Sequence, residues 1–146
     1  MEPIFTYQDD ARCISCQLCV EGKYFYGDAL CHDDDDLFYN RLTGEQIAAS
    51  RAYIEYLKYL QDKITTEIRV LKHYYSCLKM NPNFKENDYG VKTLSKIIKK
   101  LSLELTTVKS DLKSEKKSLS TFLKEKDKLY RKLENKRTGE ESKCEN

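Results

Sequence analysis

Residues 91–133 read VKTLSKIIKKLSLELTTVKSDLKSEKKSLSTFLKEKDKLYRKL. Alternating steps of three and four residues select Val91, Leu94, Ile98, Leu101, Leu105, Val108, Leu112, Glu115, Leu119, Phe122, Lys126, Leu129 and Leu133. Eleven of these thirteen positions are apolar, and the residues between them are mostly Lys, Ser, Thr and Glu. A 3.5-residue apolar repeat sustained over about six heptads is a coiled-coil seam. Gly90 sits at its first turn and no Pro interrupts it, so the spacing predicts one helix over about residues 88–137. The two polar seam positions, Glu115 and Lys126, are of the kind that fix register or leave a wet gap.

A second seam lies upstream. Thr43-Gly44-Glu45-Gln46 has the S/T-x-x-E/Q form of a capping box, which starts a helix at Gly44. Tyr53, Leu57, Leu60, Ile64, Ile68, Leu71, Tyr75 and Leu78 follow at helical spacing. Asn81-Pro82-Asn83 is a breaker and ends this helix near Met80. Asn87 or Asp88 can cap the second helix, and Thr138-Gly139 ends it before a frayed polar tail, 138–146. Two seamed helices joined by a short loop favour an antiparallel hairpin. In that register about 37 residues of each helix face one another, and the second overhangs by roughly 13 residues, about 20 Å. The overhang runs from about Lys124 to Arg137, at the end where the N-terminal head is attached.

The head, residues 1–43, is organised by cysteines. Cys13-Ile-Ser-Cys16-Gln-Leu-Cys19 contains two overlapping C-x-x-C units, followed by Gly22. Such a turn points thiolates at one ion, and a nearby Gly relieves the backbone around the sulfurs. Gly27-Asp28 reads as the turn of a β-hairpin that places Tyr24 opposite Cys31 and swings Cys31 back to the first cysteines. Ile4 to Tyr7 reads as a short strand. Cys13, Cys16, Cys19 and Cys31 then supply four ligands for a structural Zn²⁺, with His32 as an alternate ligand. The spacing also suits an iron–sulfur cluster, although the Cys-Pro that accompanies the fourth ligand in ferredoxins is absent. About 43 residues bury too little surface to fold alone without such a staple. The expected fold is therefore mainly α, a long antiparallel coiled-coil helical hairpin (44–137) with a small metal-pinned β-hairpin head.

The chain has 146 residues, of which 34% are charged, with no Trp and two Pro. The formal net charge of +2 hides an asymmetry: residues 1–46 hold 3 Lys/Arg against 10 Asp/Glu, and residues 88–137 hold 15 against 7. An acidic head and a basic helix can attract each other or face partners of opposite sign. No run of about 18 apolar residues reads as a membrane span. The N-terminal residues have neither the basic start nor the apolar run of a signal peptide, so a cytoplasmic location is the expectation. There the cysteines stay reduced, which favours metal ligation over disulfides.

An enzyme is not expected. There is no phosphate-cradling Gly loop, no HExxH and no nucleophile elbow, and the only imidazoles are His32 and His73. His73 has no obvious metal partner in the sequence, and Cys77 reads as a small core residue. The first functional reading is a protein-binding module, a regulator or inhibitor of phage or mobile-element type. Candidate partner-binding residues are the acidic run Asp33, Asp34, Asp35 and Asp36, and the shoulder Tyr53, Tyr56 and Tyr59, since Tyr is favoured at interfaces. In its parts, a zinc module and a coiled-coil hairpin, the chain resembles RNA-polymerase secondary-channel factors. Here the zinc motif precedes the hairpin, the tip Asn81 to Tyr89 carries only Glu86 and Asp88 as acids, and no functional residue carries across. The alternative is nucleic-acid binding by Lys96, Lys99, Lys100, Lys109, Lys113, Lys116 and Lys117, which lie outside the seam and can contact phosphates. Parallel pairing of the second helix in a homodimer satisfies the same heptads.

Overall fold

Strict alternation of apolar and polar residues sets the N-terminal segment: Ile14, Cys16 and Leu18 interleave with Ser15 and Gln17, a period-two pattern that suits a strand with one buried face. In the computed structural model, which describes residues 2–8, 10–31 and 40–144 (side chains to Thr138), this segment is the central strand of a three-stranded antiparallel sheet. The strands are β1 (Pro3–Gln8), β2 (Cys13–Val20) and β3 (Lys23–Leu30), in the order β1-β2-β3. Two long helices follow, α1 (Arg41–Lys79) and α2 (Tyr89–Cys144). The protein is mainly helical with a small N-terminal sheet, as expected, but the head is a three-stranded meander and not a single hairpin. Among the described residues no helix is long and apolar enough to cross a membrane.

The hairpin turn is not where the sequence pointed. Val20 pairs with Lys23, leaving Glu21 and Gly22 as a two-residue loop with φ of 50° and 75°, the positive values that such tight loops require. Gly27, expected in that turn, sits within β3 opposite Cys16. It lacks a side chain for a different reason. A Cβ there would collide with the Ala48 carbonyl oxygen and the Ala52 amide nitrogen, and would lie 2.8 Å from Arg51 Cβ. Gly27 therefore lets α1 lie directly on the sheet.

The chain forms two compact units, residues 1–55 with 114–146 and residues 56–113. In the first, the core is Ile14, Cys16, Leu18 and Ala29 of the sheet with Ala48 and Ala52 of α1. Phe5, Tyr7, Phe25, Ile47, Ala49 and Tyr53 pack round it. Burial of a residue such as Ile14 or Leu18 contributes about 2 kcal/mol. The polar seam residue Glu115 of α2 accepts a hydrogen bond from Ser50 Oγ of α1 at 2.7 Å. Leu123, Lys126 and Tyr130 of α2 share the walls of a cavity of about 260 Å³ with Ala29, Thr43 and Ile47. The stretch of α2 from Leu123 to Tyr130 thus lies beside the head.

In the second unit, Leu57, Ile64 and Ile68 of α1 and Val91, Leu94, Val108 and Leu112 of α2 are buried. The intervening turn holds a hydrogen bond from the Phe84 amide to the Asn81 carbonyl at 3.0 Å, and the Asn83 amide donates to Asn81 Oδ1 at 3.0 Å. Tyr75 and Phe84 meet edge to face at 6.3 Å. Asp88 opens α2, its carbonyl accepting from the Lys92 amide at 3.1 Å.

Helix ends differ from expectation by a few residues. α1 begins at Arg41, three residues before Gly44, because Asn40 is the cap: its Oδ1 accepts from the Thr43 amide at 3.2 Å. Thr43 is instead buried. α2 continues through Thr138-Gly139, where the sequence placed its end, to Cys144.

Candidate functional site

The alternation of β2 decides what the cysteines can do. Residues three apart on a strand point to opposite faces, so Cys16 faces α1 while Cys13 and Cys19 face away. Cys16 is fully buried, Cys13 half-buried and Cys19 exposed. Burial pushes the Cys16 thiol pKa up, which disfavours the thiolate that a metal needs. Cys13 and Cys19, six residues apart on an extended strand, are separated by about 20 Å along it. A tetrahedral zinc holds its sulfurs only about 3.8 Å apart. Cys31 follows β3, is half-buried, and donates its amide to the Arg12 carbonyl at 3.1 Å.

The set Cys13, Cys16, Cys19 and Cys31 is therefore not brought together, and among the described residues no three His, Cys, Asp or Glu side chains are placed to hold a metal ion. The physical reason is that a C-x-x-C spacing gathers sulfurs in a turn and separates them in a strand. The alternate ligand His32 and the acidic run Asp33 to Asp36 lie outside the described residues.

The head is joined to α1 by packing and by a polar clasp. Tyr7 donates its hydroxyl to Glu45 Oε1 at 2.6 Å. Arg41 stacks over the Tyr7 ring at 3.4 Å and reaches Glu45 Oε1 at 3.9 Å. The hydrogen bond to Glu45 raises the Tyr7 pKa, burial and the Glu45 charge add to this, and Arg41 opposes it. On the far side, the Arg51 guanidinium donates to the Asp28 carbonyl, occupying one acceptor on the free edge of β3.

The opposite face of the sheet is the surface the head presents. It carries Ile4, Thr6 and Gln8 from β1, Cys13, Ser15, Gln17 and Cys19 from β2, and Tyr24, Tyr26, Asp28 and Leu30 from β3. Ile4 is 58% exposed, Tyr24 55%, Tyr26 57% and Leu30 67%. Ile4 stands opposite Gln17, which stands opposite Tyr26, so one row crosses all three strands. Asp28 is the sole charged residue among these eleven positions, in a chain that is 34% charged. An aromatic and aliphatic face with so little charge has the composition of the centre of a protein interface.

The other expected sites are placed as follows. Tyr53 is half-buried and packs against the head core, and Tyr56 and Tyr59 are half-buried along α1. Lys96, Lys99, Lys100 and Lys113 are exposed in the unit formed by residues 56–113. Lys116 and Lys117 are exposed on the part of α2 that belongs to the other unit. His73 and Cys77 lie one helical turn apart on α1. In the structure both are exposed, and Cys77 Sγ lies 3.8 Å from His73 Nε2. The signal was the H-x-x-x-C spacing, which places both side chains on one helix face.

Comparison with family models, with curated proteins and with solved structures found no match.

Proposed function

We propose that this chain is a non-enzymatic protein-interaction module: a small β-sheet head, docking through its outer face, carried on a coiled-coil hairpin stalk. The observation that carries this reading is the outer sheet face. Four large apolar side chains, each more than half exposed, lie on that face with one charge among eleven positions. Solvent does not favour such a face, and Tyr and aliphatic anchors beside neutral polar residues are the usual centre of a docking surface. The partner is a protein, held by apolar contact, and a regulatory or inhibitory role follows from occupying that partner's surface.

A photo-crosslinking amino acid at Tyr26, compared with one at Lys109, tests this in the protein's own cells. The expected result is one discrete protein adduct from position 26, suppressed at least tenfold by Ile4→Glu and unaffected by moderate salt. No adduct at position 26, or an equal one at position 109, contradicts the reading. Ile4 is exposed, so the substitution leaves the fold intact.

A further inference from the structure

The pair His73 and Cys77 stands in unusual company on α1. Val70, His73, Tyr74 and Cys77 occupy positions i, i+3, i+4 and i+7, one stripe along two turns. All four are exposed, Val70 by 59% and Tyr74 by 56%. The stripe lies on the helix face away from the buried seam of Ile64 and Ile68. Lys72, the sole charged residue from Val70 to Leu78, falls about 160° round the helix from Val70. The stripe itself carries no charge and holds two metal-ligating atoms, with exposed Arg69 bordering it one turn before His73.

Their spacing suits one ion. Zinc bonds of about 2.3 Å to sulfur and 2.0–2.1 Å to imidazole nitrogen put two ligands about 3.6 Å apart at the tetrahedral angle. The 3.8 Å between Cys77 Sγ and His73 Nε2 corresponds to an angle only about 10° wider. Both groups are on a regular helix, so little order is lost when they close on an ion. Two ligands fill half of a tetrahedron, and no third His, Cys, Asp or Glu among the described residues completes it.

We propose that His73 and Cys77 form half of a zinc site that a second copy of this chain completes as Cys₂His₂. A two-fold contact places the same stripe on both sides, so one half-site supplies all four ligands. Val70 and Tyr74 of each copy cover the ion and lose their exposure in the same contact. Each Cys77 thiol gives up its proton to solvent on binding, and each His73 binds as neutral imidazole through Nε2, its proton on Nδ1. Two thiolates balance the charge of Zn²⁺. The ion is thus held with no net charge beside Arg69, one turn before His73.

The test is the mass of the full chain in solution, with a non-chelating phosphine reductant present so that no disulfide forms. Half an equivalent of Zn²⁺ should double the 17.2 kDa mass, and a chelator should restore it. Half an equivalent of Co²⁺ should give the same doubling, with the visible bands of tetrahedral cobalt and a thiolate charge-transfer band. His73→Ala and Cys77→Ala should each abolish the doubling, and Cys77→Ala the charge-transfer band. Cys13→Ala/Cys19→Ala should retain both. Both tested positions are solvent-exposed, and an unchanged helical circular dichroism spectrum verifies that the variants fold. A single-chain mass at saturating zinc overturns the proposal, as does doubling that survives the chelator or persists in either α1 variant.

Discussion

Replacing Gly27 with Val should open the head by about 3 kcal/mol or more while the helices of residues 56–113 remain. The side chain would begin inside the van der Waals envelope of the Ala48 carbonyl and the Ala52 amide. Both are backbone atoms of α1, and no rotamer change can move them. Overpacking a core that can yield costs about 1–3 kcal/mol, and here relief requires the helix to lift from the sheet. That lifting would expose Ile14, Cys16 and Leu18 together. Amide hydrogen exchange along β2 reads the effect directly, because those amides report the opening of the head alone. Gly22→Ala is the control. Gly22 has φ of 75° with nothing near its missing Cβ, so the left-handed backbone alone is penalised, by about 1–2 kcal/mol. Equal exchange in the two variants would mean that the sheet and α1 are not in contact at Gly27.

Ile14→Ala should cost about 3 kcal/mol, within the 2–5 kcal/mol range for truncating a buried aliphatic residue. Ile14 is fully buried in the core shared by the sheet and α1. The neighbourhood has little freedom to close the void, since it is walled by backbone and by Ala48 and Ala52. Gly44 offers one compensation. A Cβ there would lie 2.6 Å from Ile14 Cδ1, so Gly44→Ala needs the space that Ile14→Val releases. The two substitutions should couple, each costing less in the presence of the other. Urea unfolding of the five proteins (the unsubstituted chain, Ile14→Ala, Ile14→Val, Gly44→Ala and the Ile14→Val/Gly44→Ala double variant) checks both statements. A cost below about 1 kcal/mol for Ile14→Ala would place this residue outside the core.

The helices were legible because their signal is local and redundant. Every α2 seam position from Val91 to Lys126 is buried or half-buried, and the polar members have partners: Glu115 bonds Ser50, and Lys126 lies 5.3 Å from the Phe122 ring. The seam weakens beyond that, with Leu129 and Leu133 left 47% and 41% exposed. The head was harder to read. Cysteines three apart carry opposite meanings in a turn and in a strand, and the alternation of Ile14, Cys16 and Leu18 with Ser15 and Gln17 was the cue that separates them. The Gly27-Asp28 pair suggests backbone freedom, whereas the use of Gly27 is the absence of a side chain facing α1. That use depends on a helix that starts fourteen residues later in the chain, which no local pattern reveals. Cys77 has the sequence setting of a small core residue, but it lies on the solvent side of α1 beside His73.

The head stands by packing its sheet on α1, with Cys16 inside that core. Alkylation rates measured cysteine by cysteine, by mass spectrometry of the reduced native protein, test it most directly. Cys19 should react fast and Cys16 at least about 100-fold more slowly, limited by opening of the head and indifferent to a chelator. Protection of Cys13, Cys16, Cys19 and Cys31 together, released together by a chelator, would contradict it and restore the four-cysteine metal site.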